Sequence, residues 1–144
     1  MSNSLRIGIA GLGTVGASVI RLLDRQDKAL QARTGRRIVV AAVSARDKSR
    51  DRGIDLSGAK WFDDPVALAA SPDIDLFVEL VGGDEGPARK AVETALASGK
   101  SVVTANKALL AKHGMALAAL AEDKRVALAF EASVAGGIPI VKTL

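Results

Sequence analysis

Gly11, Gly13 and Gly16 fall in the run Gly11-Leu12-Gly13-Thr14-Val15-Gly16, a G-x-G-x-x-G spacing close to the start of a 144-residue chain. A turn of this kind is suited to holding a pyrophosphate. Gly11 permits the sharp reversal, Gly13 lets the main chain approach the anion, and Gly16 lets a following helix pack closely on the preceding strand. The N-terminus of that helix, at Thr14 and Val15, offers free N–H groups to the negative charge. The spacing carries this meaning only between a strand and a helix. Leu5, Ile7 and Ile9 alternate as in a strand, and Ala17, Val19, Ile20, Leu22 and Leu23 recur at helical spacing. The turn is therefore expected to bind a dinucleotide. The alternative is a glycine turn that serves packing or another ligand.

The end of the second apolar run bears on which dinucleotide. An NAD site places Asp or Glu there for the ribose 2′-OH, whereas a 2′-phosphate is matched by Arg or Lys. Here the run ends Val43-Ser44-Ala45-Arg46-Asp47-Lys48. Arg46 and Lys48 could grip a 2′-phosphate beside Ser44, which favours NADP over NAD. With a slip of one residue Asp47 becomes the ribose ligand instead. Further on, Glu79 ends a strand just before Val81-Gly82-Gly83, either as a ligand contact or as a carboxylate paired with a helix N-terminus. Thr104, Asn106 and Lys107 follow another strand at the same sheet edge. A lysine in the first turn of a helix opposes the macrodipole, which points to an anion or polarised substrate near Lys107. His113, before Gly114, reads as a helix-end cation, and Trp61 as a packing residue. Glu131 precedes Gly136-Gly137; a carboxylate with carbonyl oxygens suits a hard cation, and a plain linking turn would read the same.

The elements that must position these residues alternate. A helix is predicted from about Val15 to about Arg33 and a buried strand over Ile38–Val43, followed by a loop over Ser44–Gly58 and a short strand at Lys60–Phe62. Asp64-Pro65 marks a capped helix running to Ala70. Next come a strand over Ile74–Val81, a helix from about Pro87 to Ser98 and a strand at Ser101–Thr104. A helix capped by Asn106 follows from Lys107 to about Ala121, with a break near Gly114, and then a last strand from Arg125 to Phe130. Such alternation implies an α/β fold of Rossmann type, a doubly wound, mainly parallel sheet with helices on both faces.

Bulk properties narrow the function classes. The length suits one domain. There are no cysteines, which removes disulfides, thiolate metal sites and cysteine nucleophiles. The formal net charge is +4, but three Phe, one Trp and no Tyr leave little for base stacking, so no nucleic-acid partner is expected. No apolar run approaches the ~20 residues needed to span a bilayer, and the glycine turn comes too early for a signal peptide; a cytoplasmic protein without a membrane partner is expected. Ile140-Val141-Lys142-Thr143-Leu144 looks like the opening of a helix that stops, as if cut from a longer polypeptide.

Four blocks in order carry a resemblance: Gly11–Gly16, Val78-Glu79-Leu80-Val81-Gly82-Gly83, Val102-Val103-Thr104-Ala105-Asn106-Lys107-Ala108-Leu109-Leu110 and Phe130-Glu131-Ala132-Ser133-Val134-Ala135-Gly136-Gly137-Ile138-Pro139-Ile140. Together they resemble the N-terminal, cofactor-binding portion of homoserine dehydrogenases. The resemblance implies NAD(P)-dependent interconversion of L-homoserine and L-aspartate 4-semialdehyde, a step towards threonine and methionine. It carries phosphate binding onto Gly11, Gly13, Thr14 and Val15 within the turn that includes Leu12 and Gly16, and a nicotinamide-side contact onto Val81 and Gly82. Lys107, beside Thr104, matches the family lysine next to cofactor and substrate. Glu131, with the carbonyls of Val134, Gly136 and Ile138, matches a monovalent cation site, usually sodium. Residues 1–144 would then be the NAD(P)-binding domain, the last ~10 residues leading into a catalytic and dimerisation domain of a homodimer. Alone, the chain is expected to bind cofactor without turnover. A free-standing NAD(P)H-sensing module and another amino-acid dehydrogenase of the same superfamily are the alternatives.

Overall fold

The computed structural model describes residues 4–133. Six parallel strands lie in the order β3-β2-β1-β4-β5-β6. They are β1 (Ser4–Ala10), β2 (Arg37–Ser44), β3 (Lys60–Phe62), β4 (Leu76–Glu79), β5 (Ser101–Thr104) and β6 (Leu128–Ala129). The chain runs outward from β1 on one side and returns to pair β4 on the other, so the direction of winding reverses between β1 and β4. In an open parallel sheet that reversal leaves a crevice at the carboxyl ends of the strands. The expected doubly wound α/β architecture is the one observed.

The helices are α1 (Thr14–Arg25), α2 (Asp27–Thr34), α3 (Pro65–Ala70), α4 (Pro87–Ala97) and α5 (Lys107–Lys124). On one face of the sheet Leu68, Ala91, Val92, Leu96, Leu109 and Leu117 from α3, α4 and α5 bury Ala10, Ala42, Phe77 and Val102. On the other, Ile20 of α1 packs with Ile7, Ile9, Val43 and Val78. Burial on both faces is why β2 reads as a continuous apolar run over Ile38–Val43 rather than a strict alternation. Among the described residues no helix is long and apolar enough to cross a membrane.

Local signals set several boundaries. The Asp64 carboxylate accepts the Val66 N–H at 2.9 Å with Pro65 opening α3, and Asn106 Oδ1 accepts the Leu109 N–H at 3.0 Å. Each cap satisfies a backbone donor that the first turn leaves without a partner. Asp64→Ala is therefore expected to lower stability by about 1 kcal/mol, read as a shift in the urea midpoint.

Other boundaries differ from the sequence reading. The predicted first helix is two, because Gln26 leaves helical geometry (φ −106°, ψ 12°) and Asp27 starts α2, which pairs with Arg37 at 3.3 Å and buries nothing. Gly114 does not interrupt α5, so His113 lies within the helix and not at its end. Its Nε2 meets Glu85 Oε1 at 2.7 Å. The last strand shrinks to Leu128–Ala129 because Arg125 adopts a left-handed conformation (φ 56°) as the C-cap of α5.

Candidate cofactor cleft

The crevice is built by the backbone after β1. Gly11 N–H donates to Ser44 O at 2.9 Å and Leu80 N–H donates to Ala10 O at 2.8 Å, so the turn passes between the ends of β2 and β4. Gly11 sits at φ +97°, and a Cβ there would lie 2.4 Å from Leu80 O. A Cβ on Gly16 would lie 2.0 Å from Gly11 O. Both glycines are imposed by the fold itself. Gly13 is different: a Cβ there would meet nothing within 4 Å. It borders a cleft of about 750 Å³ lined also by Gly11, Leu12, Arg46, Val81 and Gly82. The first helical bond of α1 is Ala17 N–H to Gly13 O at 3.0 Å, so the N–H groups of Thr14, Val15 and Gly16 stand ahead of the intrahelical ladder. Open space at Gly13 beside unused donors suits a pyrophosphate.

The cleft wall is electrostatically biased. Arg46, Arg50 and Arg52 line it together with Asp47, Asp63 and Glu85, but each carboxylate has its own partner. Asp47 Oδ1 accepts from Ser49 Oγ at 2.7 Å and Ser49 N–H at 2.9 Å, Asp63 accepts from Trp61 Nε1 at 2.9 Å, and Glu85 pairs with His113 and Arg89. The guanidinium groups of Arg46 and Arg50 have no such partner among the described residues, leaving positive charge free to meet an anion. Asp47 is held below the usual carboxylate range first by its bond from Ser49, and Glu85 first by His113 and then Arg89.

The same direction holds at Asp73, beside Lys60, at Asp75, beside Arg6, and at Asp84, beside Lys112. The unfolded chain therefore takes up protons before the folded one as pH falls. Their contribution is complete near neutrality and is expected to fade below about pH 4, seen as a falling denaturation midpoint in an acid titration.

Behind the cleft, Glu79 is fully buried without a cationic partner among the described residues. Its Oε1 accepts the N–H groups of Val81 at 2.8 Å and Gly82 at 3.0 Å, and its Oε2 accepts Thr104 Oγ1–H at 2.6 Å. Thr104 Oγ1 in turn accepts Asn106 N–H at 3.0 Å, and Asn106 Nδ2 donates to Gly83 O at 2.5 Å. Ser133 Oγ donates to Thr104 O at 2.9 Å. One carboxylate thus ties the Val81–Gly83 turn to the start of α5, where Lys107 stands exposed and unpaired among the described residues.

Of the residues singled out from sequence, Gly11, Leu12, Gly13, Arg46, Val81 and Gly82 line the cleft. Thr14, Val15 and Gly16 belong to the first turn of α1 beside it. Lys48 and Lys107 do not line it, and neither does Thr104, whose hydroxyl is consumed internally. Arg50 and Arg52 line it instead of Lys48. Their spacing from Arg46 after β2 was the available signal, obscured because the whole stretch is basic. Trp61 is not purely a packing residue, since its indole N–H bonds Asp63. Glu131 is exposed in a 3₁₀ turn, Glu131–Ser133; Val134, Gly136 and Ile138 lie outside the described residues.

Relatives agree with this geometry. The family model described as "Homoserine dehydrogenase, NAD binding domain" matches residues 11–131. The chain belongs to this family. A homoserine dehydrogenase of Pseudomonas aeruginosa is 44% identical over 142 residues, which cover 97% of this chain and 32% of that protein. One from Bacillus subtilis is 40% identical over 142 residues, 98% and 32% of the two chains. The crystal structure of a homoserine dehydrogenase from Thiobacillus denitrificans superposes with a TM-score of 0.88 at 42% identity, over 97% of this chain and 32% of that one. The chain thus spans about a third of the length of these homoserine dehydrogenases. The match takes in the glycine turn, β2, the Val81–Gly83 turn and the start of α5.

Proposed function

We propose that the chain is the cofactor-binding part of a homoserine dehydrogenase that interconverts L-homoserine and L-aspartate 4-semialdehyde, the groups that hold the amino acid lying on polypeptide outside this segment. The observation that carries the reading is the open approach at Gly13, bordered by unused first-turn N–H groups, at the reversal of the sheet. NAD(P) supplies the hydride acceptor or donor when bound. The glycine turn and α1 hold its pyrophosphate, and the Val81–Gly82 backbone lies at the nicotinamide side, kept in place by Glu79.

Arg46 and Arg50, both unpaired among the described residues, favour a 2′-phosphate and therefore NADP, while Asp47 is committed to its turn with Ser49. Lys107 opens α5 with no ion-pair partner among the described residues, and its Nζ is the group proposed to hold the substrate oxygen or to move a proton. Glu131, whose carboxylate has no partner among the described residues, is the protein group proposed for a monovalent cation, probed by sodium dependence of stability. Lys107→Met in the polypeptide that includes the substrate-binding part is expected to keep NADPH affinity and lose homoserine oxidation. Full turnover by that variant, or none by the folded parent polypeptide, would overturn the reading.

A further inference from the structure

The segment between β2 and β3 has no regular structure, yet one side chain in it joins three parts of the molecule. Arg52 Nε donates to Leu12 O in the glycine turn at 3.0 Å. Its Nη1 donates to Arg50 O at 2.8 Å and its Nη2 to Asp47 O at 2.5 Å, both within the loop. The guanidinium lies over the ring of Trp61 in β3, 5.9 Å from its centroid, and the Arg52 carbonyl accepts Arg21 Nη2–H from α1 at 2.9 Å. A planar fork of fixed geometry can serve three carbonyls at once. A lysine, with its three donors on a single nitrogen, does not reproduce that fork.

The consequence falls on Arg46 and Arg50. They stand in or next to the stretch that Arg52 pins, and their own side chains are unpaired among the described residues. Charged side chains on a loose loop must be ordered when the anion arrives, which weakens binding; on a pinned loop that ordering is already done. We propose that Arg52 is the positioning residue for 2′-phosphate selectivity: by fastening residues 47–52 to the glycine turn and to Trp61, it holds Arg46 and Arg50 facing the phosphate. Three of the five N–H groups of Arg52 already donate to carbonyls, so the proposal gives Arg52 the positioning part and leaves the 2′-phosphate to Arg46 and Arg50. The inference rests on the reading that the cleft prefers NADP to NAD.

Two measurements on the 144-residue chain test it. Trp61 is the only tryptophan, so acrylamide quenching without cofactor reports on the pinned loop. Quenching is expected to rise in Arg52→Met and Arg52→Lys and to stay unchanged in Arg46→Ala. Energy transfer from Trp61 then gives affinities for NADPH and NADH. Arg46→Ala is expected to lose about tenfold or more for NADPH with NADH little changed, the size of one charge-assisted bond. Arg52→Met should flatten the NADPH-to-NADH ratio to a similar extent, with no rescue by Arg52→Lys. Unchanged quenching in Arg52→Met overturns the proposal. So does a preserved ratio in that variant while Arg46→Ala collapses it, because Arg52 then supports the fold or the pyrophosphate alone. A wild-type chain that binds both cofactors equally refutes the NADP preference itself and the inference with it, and that failure is visible before any variant is compared.

Discussion

Gly13→Ala is expected to leave the fold standing and to abolish most of the cofactor affinity, while Gly11→Ala does the reverse damage first. At Gly13 the backbone is extended (φ −75°, ψ −159°), a conformation open to any residue, and the added methyl meets no protein atom. It projects instead towards the space the pyrophosphate needs. A loss of about 2 kcal/mol, roughly 30-fold in Kd, with an unchanged melting temperature is the expected signature. At Gly11 the added Cβ meets the Leu80 carbonyl, which is backbone and cannot turn aside, and φ +97° is strained for any L side chain. About 3 kcal/mol or more of folding stability should be lost. Thermal melts and NADPH titrations on the two variants separate a glycine required by the ligand from one required by the chain. A Gly13→Ala protein that binds like wild type would mean that the pyrophosphate lies elsewhere.

Removing the carboxylate of Glu79 should be the most costly change behind the cleft. Glu79→Ala strands the N–H groups of Val81 and Gly82 and the Thr104 hydroxyl, three donors that share this acceptor. Each stranded donor costs about 1–3 kcal/mol, and with partial relaxation a total of about 3–5 kcal/mol is expected. Glu79→Gln keeps one carbonyl oxygen for the two N–H groups but turns an amide donor towards Thr104 Oγ1, so about 1–2 kcal/mol is expected. Urea denaturation measures both. The Val81–Gly83 turn should loosen in either variant, because its conformation is held by Glu79 from one side and by Asn106 from the other. A loss below about 1 kcal/mol for Glu79→Ala would show that the turn is supported in another way.

Much of the fold was legible because its signals are local. Asp64-Pro65 and Asn106 mark helix starts through bonds that span two or three residues, and the structure puts α3 and α5 where those residues point. Gly11, Gly13 and Gly16 are likewise readable from spacing. What was hidden depends on partners far away in sequence. The reach of Arg52 across forty positions to Leu12, and of Glu79 across twenty-five to Thr104, leaves no periodic trace. The fourth strand is shorter than its apolar run suggests. At its start Asp75 turns its carboxylate to Arg6, and at its end Glu79 takes up the next N–H groups that a longer ladder would use. Thr104 carries the same lesson: its position at the end of β5 suggested a ligand contact, while its burial gives it a supporting part.

The most direct test of the cofactor cleft is a calorimetric titration of the wild-type chain with NADPH and NADH, run beside Gly13→Ala. One saturable site per chain is expected for the wild type, tighter for NADPH and weakened by added salt, together with a Gly13→Ala protein that melts normally and binds far more weakly. A folded wild-type chain that takes up neither cofactor would contradict this reading of the cleft.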